Sequence, residues 1–149
     1  MPDRTAKEAA LDYFSQKFNC AEATLLGLCE ALGIEESCVP RIATGFGAGI
    51  GFSGDTCGAV TGAVMAMGLK LGRERAEDQD AKLACYDKVR RLVEEFEREF
   101  GNVRCNYLTK CNMRTPEGRA KSVELNLHSN VCPAFVGFAA EVAYRLIEE

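Results

Sequence analysis

The chain has 149 residues, 47% of them hydrophobic, and a formal net charge of −4, which predicts one domain over residues 1–149 with a substantial core. Acidic and basic residues are interspersed without a basic stripe, so nucleic acid is excluded as an expected partner. The N-terminal residues lack the apolar stretch of a signal peptide, and no run approaches the ~18 apolar residues of a membrane span, so we expect a cytoplasmic protein without membrane insertion.

Two helices are predicted at the start of the chain. Apolar residues recur at spacings of three and four over residues 3–18, the pattern of an amphipathic helix. Asn19 and Glu22 have the spacing of a capping box, which predicts a second helix with Cys20 in its first turn. Gly33 is expected to end this helix.

A short third helix is expected over Glu35–Thr44, with Pro40 in its first turn. A glycine-rich run follows and predicts an irregular loop with positive φ angles. Its glycines are Gly45, Gly47, Gly49, Gly51 and Gly54.

The fourth predicted helix covers roughly residues 55–72 and carries Cys57 in its first turn, with Asp55 or Thr56 as its cap. Because this helix is apolar nearly all round, we expect it at the centre of the domain. Small residues inside it, including Gly58 and Gly62, favour either close helix packing or exposed backbone for a ligand.

The second half of the chain contains a long fifth helix that ends at Gly101, an irregular segment and a last helix. Asn102 to Ser129 is rich in turn-forming residues and predicts two short helical pieces at most. The last helix is expected to start near Asn130, with Cys132 and Pro133 in its first turn. No strand-like alternation occurs, so the sequence predicts an all-α fold.

We expect an up-and-down helical bundle of five or six helices, with the glycine-rich loop before the central helix. The second, fourth and sixth helices then run in the same direction, which places Cys20, Cys57 and Cys132 at one end of the bundle. Cys105 joins them, because the fifth helix returns to that end. Cys111 is a candidate fifth member. Convergence of such distant residues is typical of a functional site.

The eight cysteines do not all fit this cluster. Since disulfide staples are unusual in a reducing compartment, some of the cysteines are expected to have chemical roles. Cys29 and Cys85 lie on or near apolar helix faces, where packing in the core is the simpler interpretation. Cys38 is expected at the opposite end of the bundle.

Three stretches resemble a known family: Asn19-Cys20-Ala21-Glu22, Gly54 to Gly62 around Cys57, and Phe100 to Cys105. Together with Cys132, they resemble the redox-active proteins named for the C_GCAxxG_C_C pattern, over residues 15 to 145. The resemblance implies a small bacterial or archaeal protein related to a domain of split-Soret cytochromes. It also implies four characteristic cysteines, which are Cys20, Cys57, Cys105 and Cys132 here. It implies no particular reaction.

The first functional hypothesis is a thiol-based redox protein, either a thiol oxidoreductase or an electron-transfer protein with an unknown redox partner. Cys57 would be the low-pKa attacking thiolate, because the N-terminus of a helix favours a negative charge. Cys20, Cys105 or Cys132 would then resolve the mixed disulfide. No cofactor is needed for this chemistry.

The second hypothesis is a zinc or iron–sulfur site formed by the same four cysteines, with Cys111 as an additional candidate ligand. Covalent c-type haem is disfavoured, since the chain lacks Cys-x-x-Cys-His and its one histidine, His128, lies in the irregular segment. A histidine in such a segment is expected at the surface or at a helix cap.

The third hypothesis is a non-catalytic binding or assembly module that forms a homodimer. Here the glycine-rich loop would hold an anion, and Gly54, Gly58 and Gly62 are the candidate residues that expose backbone to a ligand. The glycine run has no preceding strand and no following Lys-Ser/Thr, which argues against a nucleotide site.

Overall fold

The structure is a computed structural model that describes residues 3–149, and this part of the chain is helical without strands. The nine segments are α1 (Ala6–Ser15), α2 (Cys20–Leu32), α3 (Gly47–Ile50), α4 (Gly58–Leu71), α5 (Gln79–Phe100), α6 (Cys105–Thr109), α7 (Pro116–Glu124), α8 (Leu127–Asn130) and α9 (Cys132–Glu148). A 3-10 helix over Arg41–Phe46 precedes α3. The predicted all-α fold is confirmed.

Local signals in the sequence account for several helix boundaries. The Asn19 side chain accepts a hydrogen bond from the Glu22 amide at 2.8 Å, and the Glu22 carboxylate accepts one from the Asn19 amide at 2.9 Å. This predicted capping box is therefore confirmed. Gly33 and Gly101 end α2 and α5 with left-handed φ angles of 69° and 90°. Glycine adopts this conformation without a steric penalty.

Two predicted segments differ from the structure. Turns and a 3-10 helix replace the third helix expected over residues 35–44, because Pro40 has no N–H to donate to a regular helical ladder. The irregular segment over residues 102–129 forms three short helices, α6, α7 and the start of α8, instead of two. The segment count thus exceeds the expected five or six helices.

The hydrophobic core lies where α2, α4 and α9 pack together, with α1 and α5 on the outside. Small residues bring the helices unusually close. A Cβ atom on Gly27 would lie 2.5 Å from the Ala10 nitrogen of α1, and one on Gly62 would collide with the Ala21 carbonyl of α2. Helix packing therefore accounts for Gly62.

The first residues of α2 and α9 and the residue before α4 lie at the same end of the molecule, where they line one cavity. α5 ends at the same end of the molecule, because the carbonyl of Val103, just after α5, accepts a hydrogen bond from the Cys57 amide. The predicted directions of the major helices are thus those of the structure. None of the helices in residues 3–149 has the length and apolarity needed to cross a bilayer.

Candidate functional site

Four cysteines from distant parts of the chain line one cavity of about 370 Å³. Each lies at the start of a helix. Cys20, Cys105 and Cys132 are the first residues of α2, α6 and α9, and Cys57 is the N-cap residue of α4. The structure therefore brings together the four cysteines that the sequence singled out.

Backbone pairing before α4 and α6 places Cys57 beside Cys105. The Cys57 amide donates to the Val103 carbonyl at 2.7 Å, and the Cys105 amide donates to the Asp55 carbonyl at 2.6 Å. Thr56 and Arg104 form an isolated antiparallel bridge between these hydrogen bonds. Because this pairing holds residues 55–57 extended, α4 begins at Gly58, and the predicted cap by Asp55 or Thr56 is wrong.

The glycine-rich run forms a left-handed turn over residues 48–51, so the short segment α3 is not a regular right-handed helix. Ala48, Gly49, Ile50 and Gly51 all have φ between 54° and 69°, and the Gly51 amide donates to the Gly47 carbonyl at 2.9 Å. Consecutive left-handed residues are rare, and those with side chains are strained. Positive φ was expected at glycines, but Ala48, Ile50 and Phe52 also adopt it.

This left-handed turn is folded against the cysteines. A Cβ atom on Gly49 would lie 2.7 Å from the Cys105 Cβ atom and 2.6 Å from the Asp55 amide nitrogen. The Asp55 amide also donates to the Gly49 carbonyl at 2.9 Å. Close contacts within the chain therefore account for Gly49, and the turn directs the Ala48 amide at the Cys20 sulfur.

The Cys20 sulfur accepts hydrogen bonds from the backbone amides of Ala21, Ala48 and Gly58, and it is hydrogen-bonded to the Cys57 thiol. These contacts, with the Cys57 bond as the largest effect, outweigh burial and lower the pKa of Cys20 to about 7. Ala21 and Gly58 lie in the first turns of α2 and α4, whose N-terminal N–H groups favour a negative charge. Cys20 is therefore the cysteine of the cavity whose surroundings favour the thiolate form.

The pKa of Cys57 is shifted in the opposite direction from that of Cys20. The hydrogen bond to Cys20, burial and the charge of Cys20 raise the pKa of Cys57 well above its usual value. The two thiols thus shift in opposite directions, and the Cys57 thiol holds its proton more tightly than Cys20 does. The pKa of Cys57 is thus shifted in the direction opposite to the one expected for an attacking thiolate, because more N–H groups point at the neighbouring Cys20 sulfur.

Cys105 and Cys132 are neutral members of the cavity. Burial raises the pKa of Cys105 to about 11 and that of Cys132 to about 12, and the nearby Cys20 charge acts in the same direction. Cys111 is buried and packs with both of these cysteines in a small apolar cluster that includes Met113. Cys111 is not among the residues that line the cavity.

The remaining three cysteines lie away from this cavity. Cys29 is buried in the main core, in agreement with its expected packing role, and burial raises its pKa to about 11. Cys85 is half-buried on α5, and Cys38 lies in the turn before the 3-10 helix. None of these three cysteines lines the cavity that contains Cys20 and Cys57.

The three glycines proposed to expose backbone have different surroundings. A Cβ atom on Gly58 would collide with the Cys20 sulfur, and Gly58 also lines the cavity. A Cβ atom on Gly54 would collide with the Asn106 side chain, and Gly62 faces Ala21. Gly58 therefore belongs to the thiol site, whereas Gly54 and Gly62 allow two segments of the chain to approach each other.

His128 lies closer to the site than the sequence indicated. Its ring stacks on Phe14, with centroids 3.7 Å apart, and its Nε2 donates to the Phe14 carbonyl at 2.8 Å. It lines the same cavity as the four cysteines. No sequence signal links His128 to α1, since the two are joined only by the tertiary fold.

A metal site needs several ligand side chains that surround one centre. Within residues 3–149, no group of three or more His, Cys, Asp or Glu side chains is positioned to hold a metal ion. The cysteines share a cavity without surrounding a common centre. The zinc or iron–sulfur hypothesis thus gains no support from this geometry.

Comparisons with known proteins agree with the cysteine pattern. A family model described as "Putative redox-active protein (C_GCAxxG_C_C)" matches residues 18–146. A protein of Archaeoglobus fulgidus described as "Uncharacterized protein" is 28% identical over 128 residues, which are 80% of this chain and 85% of the relative. No solved structure matches the chain significantly.

Proposed function

The chain belongs to the C_GCAxxG_C_C family, whose description is redox-active, and on this premise we propose that it carries out two-electron thiol–disulfide chemistry at Cys20 and Cys57. Cys20 is the attacking thiolate, and Cys57 is the resolving thiol. The observation that carries this proposal is the contact between the two sulfurs, combined with three backbone amides that face only one of them.

The reaction follows from the protonation of the pair. The Cys20 thiolate attacks an electrophilic sulfur or oxygen atom of a substrate and displaces a leaving group, which takes up a proton. The Cys57 thiol then loses its proton and attacks the modified Cys20 sulfur, so that a disulfide forms and the second part of the substrate departs. The substrate gains two electrons, and an external dithiol returns them to the protein.

The amides around Cys20 also affect the reverse reaction. When a reductant attacks the disulfide at Cys57, Cys20 leaves as a thiolate that is already stabilised by Ala21, Ala48 and Gly58. A low-pKa thiol is a better leaving group, and stabilisation of the reduced form makes a disulfide more oxidising. The disulfide is therefore expected to be reduced easily by small dithiols.

Cys105 and Cys132 have a supporting role in this proposal. Both are neutral at pH 7 because burial raises their pKa values. They contribute apolar surface to the cavity and keep further negative charge away from Cys20. Substitution of either by Ala is expected to slow disulfide formation less than substitution of Cys20 or Cys57.

Disulfide mapping tests the proposal. Reduced protein is treated with one equivalent of diamide, the remaining thiols are alkylated, and the disulfide is located by peptide mass spectrometry. We expect a Cys20–Cys57 disulfide to form first. The Cys85→Ser variant, altered at a half-buried cysteine on α5 far from the cavity, is the matched control and should behave like the original protein.

The variants Cys20→Ser and Cys57→Ser are expected to retain the fold, since serine is close to cysteine in size, but to form no intramolecular disulfide under these conditions. A first disulfide between other cysteines, or unchanged oxidation in the Cys20→Ser variant, would refute the proposal.

A further inference from the structure

The cavity that reaches Cys20 has mainly apolar walls and a volume of about 370 Å³. This volume is within the range of sites for small molecules. One wall is the cover segment, defined here as residues 116–130, which contains α7 and α8. The apolar lining residues are Phe14, Leu108, Met113, Val123, Leu127 and Phe135.

Among residues 3–149, none of the side chains lining the cavity is Lys, Arg, Asp or Glu. His128 is the one titratable group there besides the cysteines, and its Nε2 is occupied by the Phe14 carbonyl. An anionic substrate would lose hydration on entry without meeting a cationic side chain, which is costly. The cavity therefore disfavours anionic substrates and accommodates an uncharged one.

The size and burial of the site also restrict the partner of Cys20. Cys57 is only 6% exposed, and Cys20 is reached from the cavity. Both sulfurs line a cavity whose volume is that of a small-molecule site rather than a protein-docking surface. A small molecule that enters the cavity meets both of them.

The proton on Cys57 distinguishes between classes of small oxidants. A thiolate leaves a disulfide readily without protonation, whereas an alkoxide is a poor leaving group until it receives a proton. Cys57 lines the cavity beside Cys20, and burial and its hydrogen bond to Cys20 raise the pKa of its thiol, so a proton donor lies next to the atom that attacks. This arrangement favours cleavage of an O–O bond.

We propose that the substrate of this site is a small, uncharged organic hydroperoxide, an inference that rests on the thiol function proposed above. The Cys20 sulfur attacks the terminal oxygen, and the O–O bond breaks to give Cys20 sulfenic acid and an alcohol that takes the Cys57 proton. The Cys57 thiolate then attacks the sulfenic sulfur and displaces hydroxide. An external dithiol reduces the resulting disulfide.

The net reaction consumes one thiolate, one thiol and one hydroperoxide, and it yields one disulfide, one alcohol and one hydroxide. The hydroperoxide gains two electrons and the two sulfurs lose them. Cys105 and Cys132 do not change oxidation state. The expected product ratio is therefore one alcohol for each Cys20–Cys57 disulfide.

The test compares single-turnover oxidation of the reduced protein by four probes. They are cumene hydroperoxide, its para-carboxylate, uncharged 2-hydroxyethyl disulfide and charged glutathione disulfide. Stopped-flow loss of thiols and mapping of the disulfide are the readouts. We expect cumene hydroperoxide to react at least about tenfold faster than its carboxylate, a ratio equivalent to about 1.4 kcal/mol.

Two matched variants locate this selectivity in the cavity. Val123 lines the cavity and is 79% exposed, whereas Leu125 is 48% exposed and does not line it. Val123→Lys places a positive charge at the cavity and is expected to accelerate the carboxylate probe severalfold. Leu125→Lys, two residues along the chain, is expected to leave both hydroperoxide rates unchanged.

Equal rates for the two hydroperoxides, or equal effects of the two lysine variants, would overturn the inference. Rapid oxidation by 2-hydroxyethyl disulfide without reaction of either hydroperoxide would also overturn it but would support the thiol function. Failure of every probe and of diamide to form the Cys20–Cys57 disulfide would refute both proposals.

Discussion

Cys20 differs from the other cysteines in the number of N–H groups that face its sulfur. Three backbone amides from three separate segments converge on it, and the Cys57 thiol adds a fourth donor. Cys57 was the better candidate from the sequence, because it follows the glycine-rich run directly. Both Cys20 and Cys57 lie at the N-terminus of a helix, but the sequence does not indicate that the Ala48 and Gly58 amides also face the Cys20 sulfur.

The pKa of Cys20 is lowered and those of Cys105 and Cys132 are raised, which predicts that the free energy of unfolding depends on pH. The pKa of Cys20 falls from 9.0 to about 7 on folding, so its contribution to the free energy of unfolding is present above pH 9 and lost as the pH falls through 7. The Cys20 contribution to the free energy of unfolding should therefore rise between pH 7 and pH 9, and the difference between the original protein and the Cys20→Ser variant isolates it.

At higher pH the other buried thiols act in the opposite direction. The pKa values of Cys105 and Cys132 rise from 9.0 to about 11 and about 12, so their contributions are lost as the pH rises above 9. Urea unfolding under reducing conditions at several pH values measures the expected maximum. In the Cys20→Ser variant the rise below pH 9 should disappear, and its persistence would contradict the account.

At the scale of single elements, α4 shows how glycine is used for packing. Gly62 faces the Ala21 carbonyl of α2 so closely that a methyl group would collide with it, whereas Gly68 of the same helix has no atom within 4 Å of that position. Glycine lowers helix stability relative to alanine by about 1 kcal/mol. Close packing against α2, and not helix propensity, therefore accounts for glycine at position 62.

Substitution of these two glycines by alanine should have opposite effects. Gly62→Ala is expected to destabilise the protein by about 1–3 kcal/mol, because α2 and α4 must separate. Gly68→Ala is expected to stabilise it by about 0.5–1 kcal/mol through helix propensity alone. Chemical unfolding of both variants measures the difference, and destabilisation of equal size would rule out the packing explanation.

The left-handed turn over residues 48–51 connects backbone conformation to the site. Gly49 has a φ of 66° and lies against Asp55 and Cys105, whereas Gly33 has a similar φ of 69° and open space around it. Comparison of these two positions separates the conformational cost of a side chain from the cost of crowding.

Gly33→Ala is expected to cost about 1 kcal/mol, the penalty of a left-handed residue with a side chain. Gly49→Ala should cost clearly more, since the new methyl group would also displace Asp55 or Cys105. It should also slow oxidation of Cys20, because the Ala48 amide would move with the turn. Thermal unfolding and diamide oxidation measure the two effects, and equal behaviour of the variants would contradict this role of Gly49.

At the scale of the whole molecule, the directions of the helices could be predicted from the sequence. Helical periodicity and the caps at Asn19, Gly33 and Gly101 were sufficient to bring Cys20, Cys57, Cys105 and Cys132 to one end. The cavity depends instead on contacts between segments without such periodicity. Residues 54–57 pair with residues 103–106, and the cover segment contributes His128.

The sequence predicts where the four cysteines lie but not which role each of them has, because those roles depend on these contacts between segments. Ala48 supplies a hydrogen bond from a conformation that its residue type disfavours, and nothing local in the sequence indicates it.

A single domain over residues 1–149 and a homodimer stay predictions. Met1 and Pro2 of that domain lie outside the described residues.

The central claim is that Cys20 is the thiolate of the pair, and the pH dependence of alkylation tests it most directly. Reduced native protein is pulsed with iodoacetamide between pH 5 and pH 10, and each cysteine is quantified by mass spectrometry. We expect Cys20 to react with an apparent pKa near 7 and Cys57 to react slowly at every pH below 9. Cys57→Ala should raise that apparent pKa more than Cys57→Ser, which retains a donor. Preferential alkylation of Cys57, or an unshifted Cys20, would contradict the account.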